Sequence, residues 1–61
     1  MPMSGEEMLS LFIKQGWKPA RQKGSHVIVH KDGERPETIP MHRELKKGLE
    51  YKLLKRIKVK K

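Results

Sequence analysis

Three β-branched residues in succession, Val27-Ile28-Val29, constrain this chain more than any other feature. Side chains branched at Cβ are stiff and pack well on a pleated surface, so the segment from Ser25 to Lys31 reads as a strand. Lys23-Gly24 before it and Asp32-Gly33 after it are turn-forming pairs, and the second reads as a two-residue hairpin turn. A strand with a turn at each end calls for a partner on each side. Trp17 to Gln22 supplies one candidate, although Pro19 cannot donate to a ladder and so implies an edge or a bulge. Glu37 to Met41, around Thr38 and Ile39, supplies the other, with Pro40 limiting how far it can pair.

A sheet of three short strands needs something to cover it, and helical periodicities stand on both sides. Ser4 and Glu7 have the spacing of a capping box, so a helix is expected from Ser4 to about Gln15, with Met8, Leu11 and Phe12 on its apolar side. Gly16 is suited to the left-handed conformation that closes a helix. A second helix begins at about Lys46, with Leu49, Leu53, Leu54 and Ile57 on one side and Glu50, Lys52, Lys55 and Arg56 largely on the other. The order α-β-β-β-α implies an α+β fold. In it both helices lie on one face of a three-stranded antiparallel sheet, since neither could hide its apolar stripe otherwise. Sixty-one residues leave room for one domain, spanning 1–61, with a modest core. Met8, Leu11 and Phe12 belong to that core; Trp17 is suited either to capping it or to stacking on a base. Strand parity remains open: Val27 and Val29 can face inward, with His26 outward, or Ile28 can.

Charge narrows the choice of partner. The net charge is +8, and nine of the fifteen Lys and Arg residues lie from Arg43 to Lys61, where only two of the seven acidic residues fall. Such polarity suits a polyanion, nucleic acid before membrane, because no strongly apolar helical face accompanies it. The role of the basic tail, Lys58 to Lys61, is left open by composition. With no cysteine, neither a disulfide framework nor a thiolate metal site is possible. Leu11-Phe12-Ile13, the longest apolar run, is far short of a signal-peptide core or a membrane span, so a soluble, unprocessed, cytoplasmic protein is expected.

Several short motifs arrive in a telling order. Gly16-Trp17-Lys18 leads to Arg21-Gln22-Lys23-Gly24-Ser25-His26; Ile39-Pro40-Met41-His42 and Glu44-Leu45-Lys46-Lys47-Gly48 follow. Over nearly the whole chain this resembles the HicA toxin family, most specifically in Arg-Gln-Lys-Gly-Ser-His between two short strands. The resemblance implies a fold like the double-stranded RNA-binding domain, in the element order that the periodicities give independently. It also implies a toxin of a type II toxin–antitoxin system, a metal-independent endoribonuclease that cuts messenger RNA without a cofactor. Its partner would be a HicB-like antitoxin, so the chain would occur as a monomer or bound to that antitoxin. The histidine of the family's Gly-Ser-His motif is its catalytic residue, which here is His26.

The chemistry of RNA suits that assignment. The ribose 2′-OH is a built-in nucleophile, so cleavage needs a base for its proton, stabilisation of phosphate charge and a proton for the leaving 5′ oxygen. An imidazole can supply or accept a proton near neutral pH. His26 follows Gly24 at the mouth of the second strand, where a loop can present it and a strand can aim it. Arg21 and Lys23 flank the glycine turn and Lys46 and Lys47 open the second helix, so these four could line a phosphate track, contacting backbone and not reading bases. Ser25 points away from His26 and reads as a turn or backbone-bonding residue whose hydroxyl could touch a phosphate.

His30 shares the parity of His26 but lies about 13 Å along the strand, too far for both to hold one metal, and no carboxylate cluster suggests a metal site. His42 is remote in sequence and falls in a loop, a surface residue that could sit near the active site. Two other functions remain compatible with these residues. One is an RNA-binding module of the same fold that does not cut; the other is an interaction protein whose basic helix docks on an acidic partner.

Overall fold

Ser4 starts the first helix by the reciprocal pairing expected of it. Its hydroxyl accepts from the Glu7 N–H at 3.1 Å, and the Glu7 carboxylate accepts from the Ser4 N–H at 2.9 Å. The computed structural model describes residues 3–57. Within them the elements run α1 (Gly5–Lys14), β1 (Lys18–Lys23), β2 (His26–His30), β3 (Glu37–Pro40) and α2 (Lys47–Ile57). The basic tail from Lys58 onward lies outside the described residues.

Helix α1 stops where Gly16 allows it to. At φ +98° that glycine adopts the left-handed conformation, and its N–H donates to the Ile13 carbonyl while the Trp17 N–H donates to the Phe12 carbonyl, both at 3.0 Å. These two bonds satisfy carbonyls that the helix end would leave orphaned, the Schellman arrangement. The hydrophobic contact that accompanies such an ending is the edge-on packing of Trp17 against Phe12, with ring centroids 5.1 Å apart. Trp17 therefore belongs to the core, 2% exposed, and is no platform for a base.

The strands form one antiparallel sheet in the order β1-β2-β3. β1 carries an irregularity between Pro19 and Arg21, so the extra residue Ala20 takes up the break that the proline makes in an edge strand. The β1–β2 turn is Gly24-Ser25, one residue later than Lys23-Gly24, with Gly24 at φ +60° as a tight hairpin requires.

Asp32-Gly33 is not a two-residue hairpin. It occupies the middle of a turn in which the Glu34 N–H donates to the Lys31 carbonyl at 3.0 Å, with Gly33 at φ +84°. Pairing resumes only at Glu37, opposite Val29, because the intervening Pro36 has no N–H to contribute.

Both helices cover the same face of this sheet. Val27, Val29 and Ile39 point into a core completed by Met8 and Phe12 from α1, Leu53 and Ile57 from α2, and Trp17 and Leu45 from the connections. That settles the parity of β2: the two valines face inward, and His26, Ile28 and His30 face outward. An ionic cluster closes the far end. The Arg56 guanidinium, lying over the Trp17 ring, donates to the buried Glu37 carboxylate at 2.6 Å and to the Arg35 carbonyl at 2.8 Å, with Glu34 3.7 Å away. Arg56 thus works at the edge of the core and not on a solvated helix face.

Candidate active site

The uncovered face of the sheet is where cationic side chains collect. Strand register places Lys23 opposite His26, Arg21 opposite Ile28 and Lys18 opposite His30, and residues paired across an antiparallel ladder share a face. All of these except the half-buried Ile28 are exposed. Glu37, the single carboxylate among the strand residues, sits on the helix side and is bound to Arg56. The open face of the strands therefore presents cations and imidazoles with no carboxylate among them, a surface that attracts a phosphodiester chain.

His26 stands at the corner of that face. Its backbone is fixed on both sides, by Lys23 on β1 and by Pro40 on β3, so the direction of its side chain is set by the sheet. The turn beside it is braced as well, for the Gln22 side-chain amide donates to the Gly24 carbonyl at 3.1 Å. Ser25 occupies the second position of this turn, exposed, with its carbonyl accepting from the Met41 N–H.

That last bond has consequences for His42. Because β3 runs antiparallel to β2, its end at Pro40 lies beside the start of β2 at His26, and the chain that leaves Pro40 passes close to the His26 ring. The imidazoles of His26 and His42 are 6.3 Å apart between centroids, with planes inclined at 69°. The loop from Met41 to Lys46 that carries His42 is tied down at three points. The Met41 N–H donates to Ser25, the His42 carbonyl accepts from the Gly5 N–H at 2.9 Å, and the Leu45 N–H donates to the Met3 carbonyl at 2.8 Å. Leu45 adds a buried side chain to the anchoring.

Gly5 permits this closeness. A Cβ built there would stand 2.0 Å from the Pro40 carbonyl oxygen and 2.7 Å from the Met41 Cα. Beside His42 a shallow groove of about 210 Å³ is lined by Ser4, Glu6, Met41 and Arg43.

Of the residues singled out in the sequence, the structure puts Arg21 and Lys23 on the same face as His26, with Ser25 in the adjoining turn. Lys46 and Lys47 are exposed but lie at the start of α2, in the helical layer and not on the strands that carry His26. His30 lies at the opposite end of β2 from His26. The sequence makes His42 a second candidate near the site, and the β2–β3 register is what brings its ring to that of His26. His42 stands two residues after Pro40, the end of the strand that pairs antiparallel to the one His26 begins. Among the described residues no group of three His, Cys, Asp or Glu side chains is arranged to hold a metal ion, and no helix is long and apolar enough to cross a membrane.

Comparison with known proteins gives the geometry a context. The profile of the HicA toxin of bacterial toxin–antitoxin systems matches residues 5–59. A solved structure described as a toxin–antitoxin complex from Streptococcus pneumoniae contains a chain 42% identical to this one, superposing with a TM-score of 0.80. The match covers 95% of the present chain and 100% of that one. A search of curated proteins returned no match.

Proposed function

The chain belongs to the HicA toxin family of toxin–antitoxin systems, and on that footing we propose that it is a metal-independent endoribonuclease that cuts messenger RNA, with His26 exchanging protons with the substrate. The observation that carries this reading is the exposed His26 ring at the corner of a sheet face that holds Lys23, Arg21 and Lys18 and no strand carboxylate. An RNA strand laid on that face has its phosphates neutralised by β1 and one scissile group beside His26.

In the reaction the 2′-oxygen attacks the adjacent phosphorus, forming the O2′–P bond as the P–O5′ bond breaks. The products are a 2′,3′-cyclic phosphate and a free 5′-hydroxyl. His26 either takes the 2′ proton or delivers one to the departing 5′ oxygen. Lys23, opposite it on β1, and Arg21 nearby stabilise the charge that builds on the phosphoryl oxygens. Ser25 adds a hydroxyl for a phosphate oxygen. Lys46 and Lys47 hold a more distant phosphate.

A HicB-like antitoxin would inhibit by covering the same face, and an acidic surface is the complement its charge calls for. The 42% identical toxin–antitoxin structure supports a protein partner of that kind. Acting on messenger RNA, the protein works in the cytoplasm.

The test is to incubate purified protein with labelled single-stranded RNA in EDTA, alongside His26→Gln. The substitution changes an exposed side chain and leaves the core intact. Wild type is expected to cleave, and the variant to lose about 10²–10⁴ in rate while still binding. Binding without cleavage by the wild type would leave a non-catalytic RNA-binding module. Full-speed cleavage by the variant would remove His26 from the reaction.

A further inference from the structure

We propose that His42 is a second catalytic residue of this site, the proton-transfer group that works across the scissile phosphate from His26. The inference rests on the ribonuclease reading above. Cleavage by the 2′-oxygen moves two protons, one off the attacking oxygen and one onto the leaving oxygen, and these oxygens lie on opposite sides of phosphorus in an in-line displacement. A single imidazole sits on one side only. The structure supplies a second ring at a workable distance.

At 6.3 Å between centroids, the His26 and His42 rings are too far apart to hydrogen-bond with each other. One phosphate group between them can nonetheless come within hydrogen-bond reach of both, about 3 Å from each. Both side chains are exposed, and among the described residues neither imidazole takes part in a hydrogen bond or an ion pair.

The anchoring of the His42 loop argues for a positioned ring. Three backbone bonds, to Ser25, Gly5 and Met3, fix residues 41 to 45 against the start of β2 and the start of α1, so the ring hangs from a braced segment. Pre-organisation of this kind is what proton transfer in a transition state requires.

The step balances without any further reagent. One ring, neutral, accepts the 2′ proton as the O2′–P bond forms. The other, protonated, gives its proton to the 5′ oxygen as the P–O5′ bond breaks. The two rings end with their protonation exchanged, and water resets them. Lys23 shares the face of His26 from β1, and Arg43 and Glu6 line the groove beside His42.

The experiment compares wild type, His26→Gln and His42→Gln on two versions of one RNA whose cut site has been mapped with the wild type. One is ordinary RNA; the other carries sulfur in place of the bridging 5′ oxygen at that site, so its leaving group departs without needing a proton. On ordinary RNA each variant should fall at least about 100-fold. On the sulfur-bridged strand one variant, and not both, should recover to within about tenfold of wild type, because only the residue that protonates the leaving group has become dispensable. Binding of an uncleavable 2′-deoxy strand at the wild-type level shows that both variants are folded.

Cleavage of ordinary RNA by His42→Gln within about threefold of wild type overturns the proposal and leaves the ribonuclease reading standing. So does equal impairment of both variants on both strands. Failure of the wild type to cut either strand overturns the two together.

Discussion

Replacing Gly5 by alanine should weaken the protein although alanine is the better helix former. Gly5 is the first residue of α1. Intrinsic propensity alone predicts a gain of up to about 1 kcal/mol. Against that stands a Cβ 2.0 Å from the Pro40 carbonyl oxygen and 2.7 Å from the Met41 Cα, both backbone atoms that no side-chain rotation can move aside. Overpacking of this kind costs about 1–3 kcal/mol, and contact with backbone puts it at the upper end, so the net loss should be about 2 kcal/mol. For a domain of this size that lowers the melting temperature by roughly 8–16 °C.

Gly48 provides the internal control, because it too is helical but has nothing within 4 Å of its would-be Cβ. Gly48→Ala should therefore stabilise, by about 0.5 kcal/mol. Urea unfolding of the two variants beside wild type measures both shifts. A Gly5→Ala protein at least as stable as wild type would show that α1 and the start of the His42 loop are not in the close contact described. Since the Gly5 N–H also holds the His42 carbonyl, RNA cleavage by Gly5→Ala should fall even under conditions where the variant is fully folded.

Other expectations follow from the same geometry. Arg56→Ala strips the buried Glu37 carboxylate of its closest partner and should cost about 2–3 kcal/mol in urea unfolding, whereas Lys52→Ala, whose 3.9 Å approach to Glu37 is made by an exposed chain, should change stability by less than about 0.5 kcal/mol. The double change Arg21→Gln and Lys23→Gln should weaken RNA binding across sequences and flatten the dependence of log K on log salt by about 0.7 for each phosphate no longer neutralised, as read by filter binding over a range of salt. Unchanged slopes would place the strand elsewhere. Phe12→Ala removes a fully buried ring that packs on Trp17 and should cost about 3–5 kcal/mol, enough to leave so small a domain largely unfolded by circular dichroism.

Local chemistry makes much of this fold readable from the amino-acid order. The capping box of Ser4 and Glu7 and the left-handed Gly16 depend on residues within one helical turn, so the ends of α1 follow from sequence alone. The bulge beside Pro19 follows from a missing N–H in the same way. Legibility ends where a choice depends on distant residues. Val27 and Val29 are chemically equivalent to Ile28 as strand residues, and only the packing of Phe12, Leu53 and their neighbours decides which of them faces inward. The Asp32-Gly33 pair reads like a hairpin, yet the connection runs on to Glu37 because Pro36 cannot pair and Arg56 claims the Arg35 carbonyl. Arg56 itself reads as a solvated helical residue until Trp17 and Glu37 are seen beneath it. At the site, Arg21, Lys23, Ser25 and His26 are neighbours in sequence and so are legible together, while His42 joins them only through strand register.

The chemical ends of the RNA fragments test the proposed reaction most directly. After digestion in EDTA, mass spectrometry of the 5′-side fragments should show a 2′,3′-cyclic phosphate or the monophosphate that its opening gives, with matching 5′-hydroxyl ends downstream, all forming about 10²–10⁴-fold more slowly with His26→Gln. Fragments ending in a 3′-hydroxyl beside a 5′-phosphate, or identical ends produced at undiminished speed without the His26 imidazole, would contradict cleavage by the ribose hydroxyl under the control of that ring.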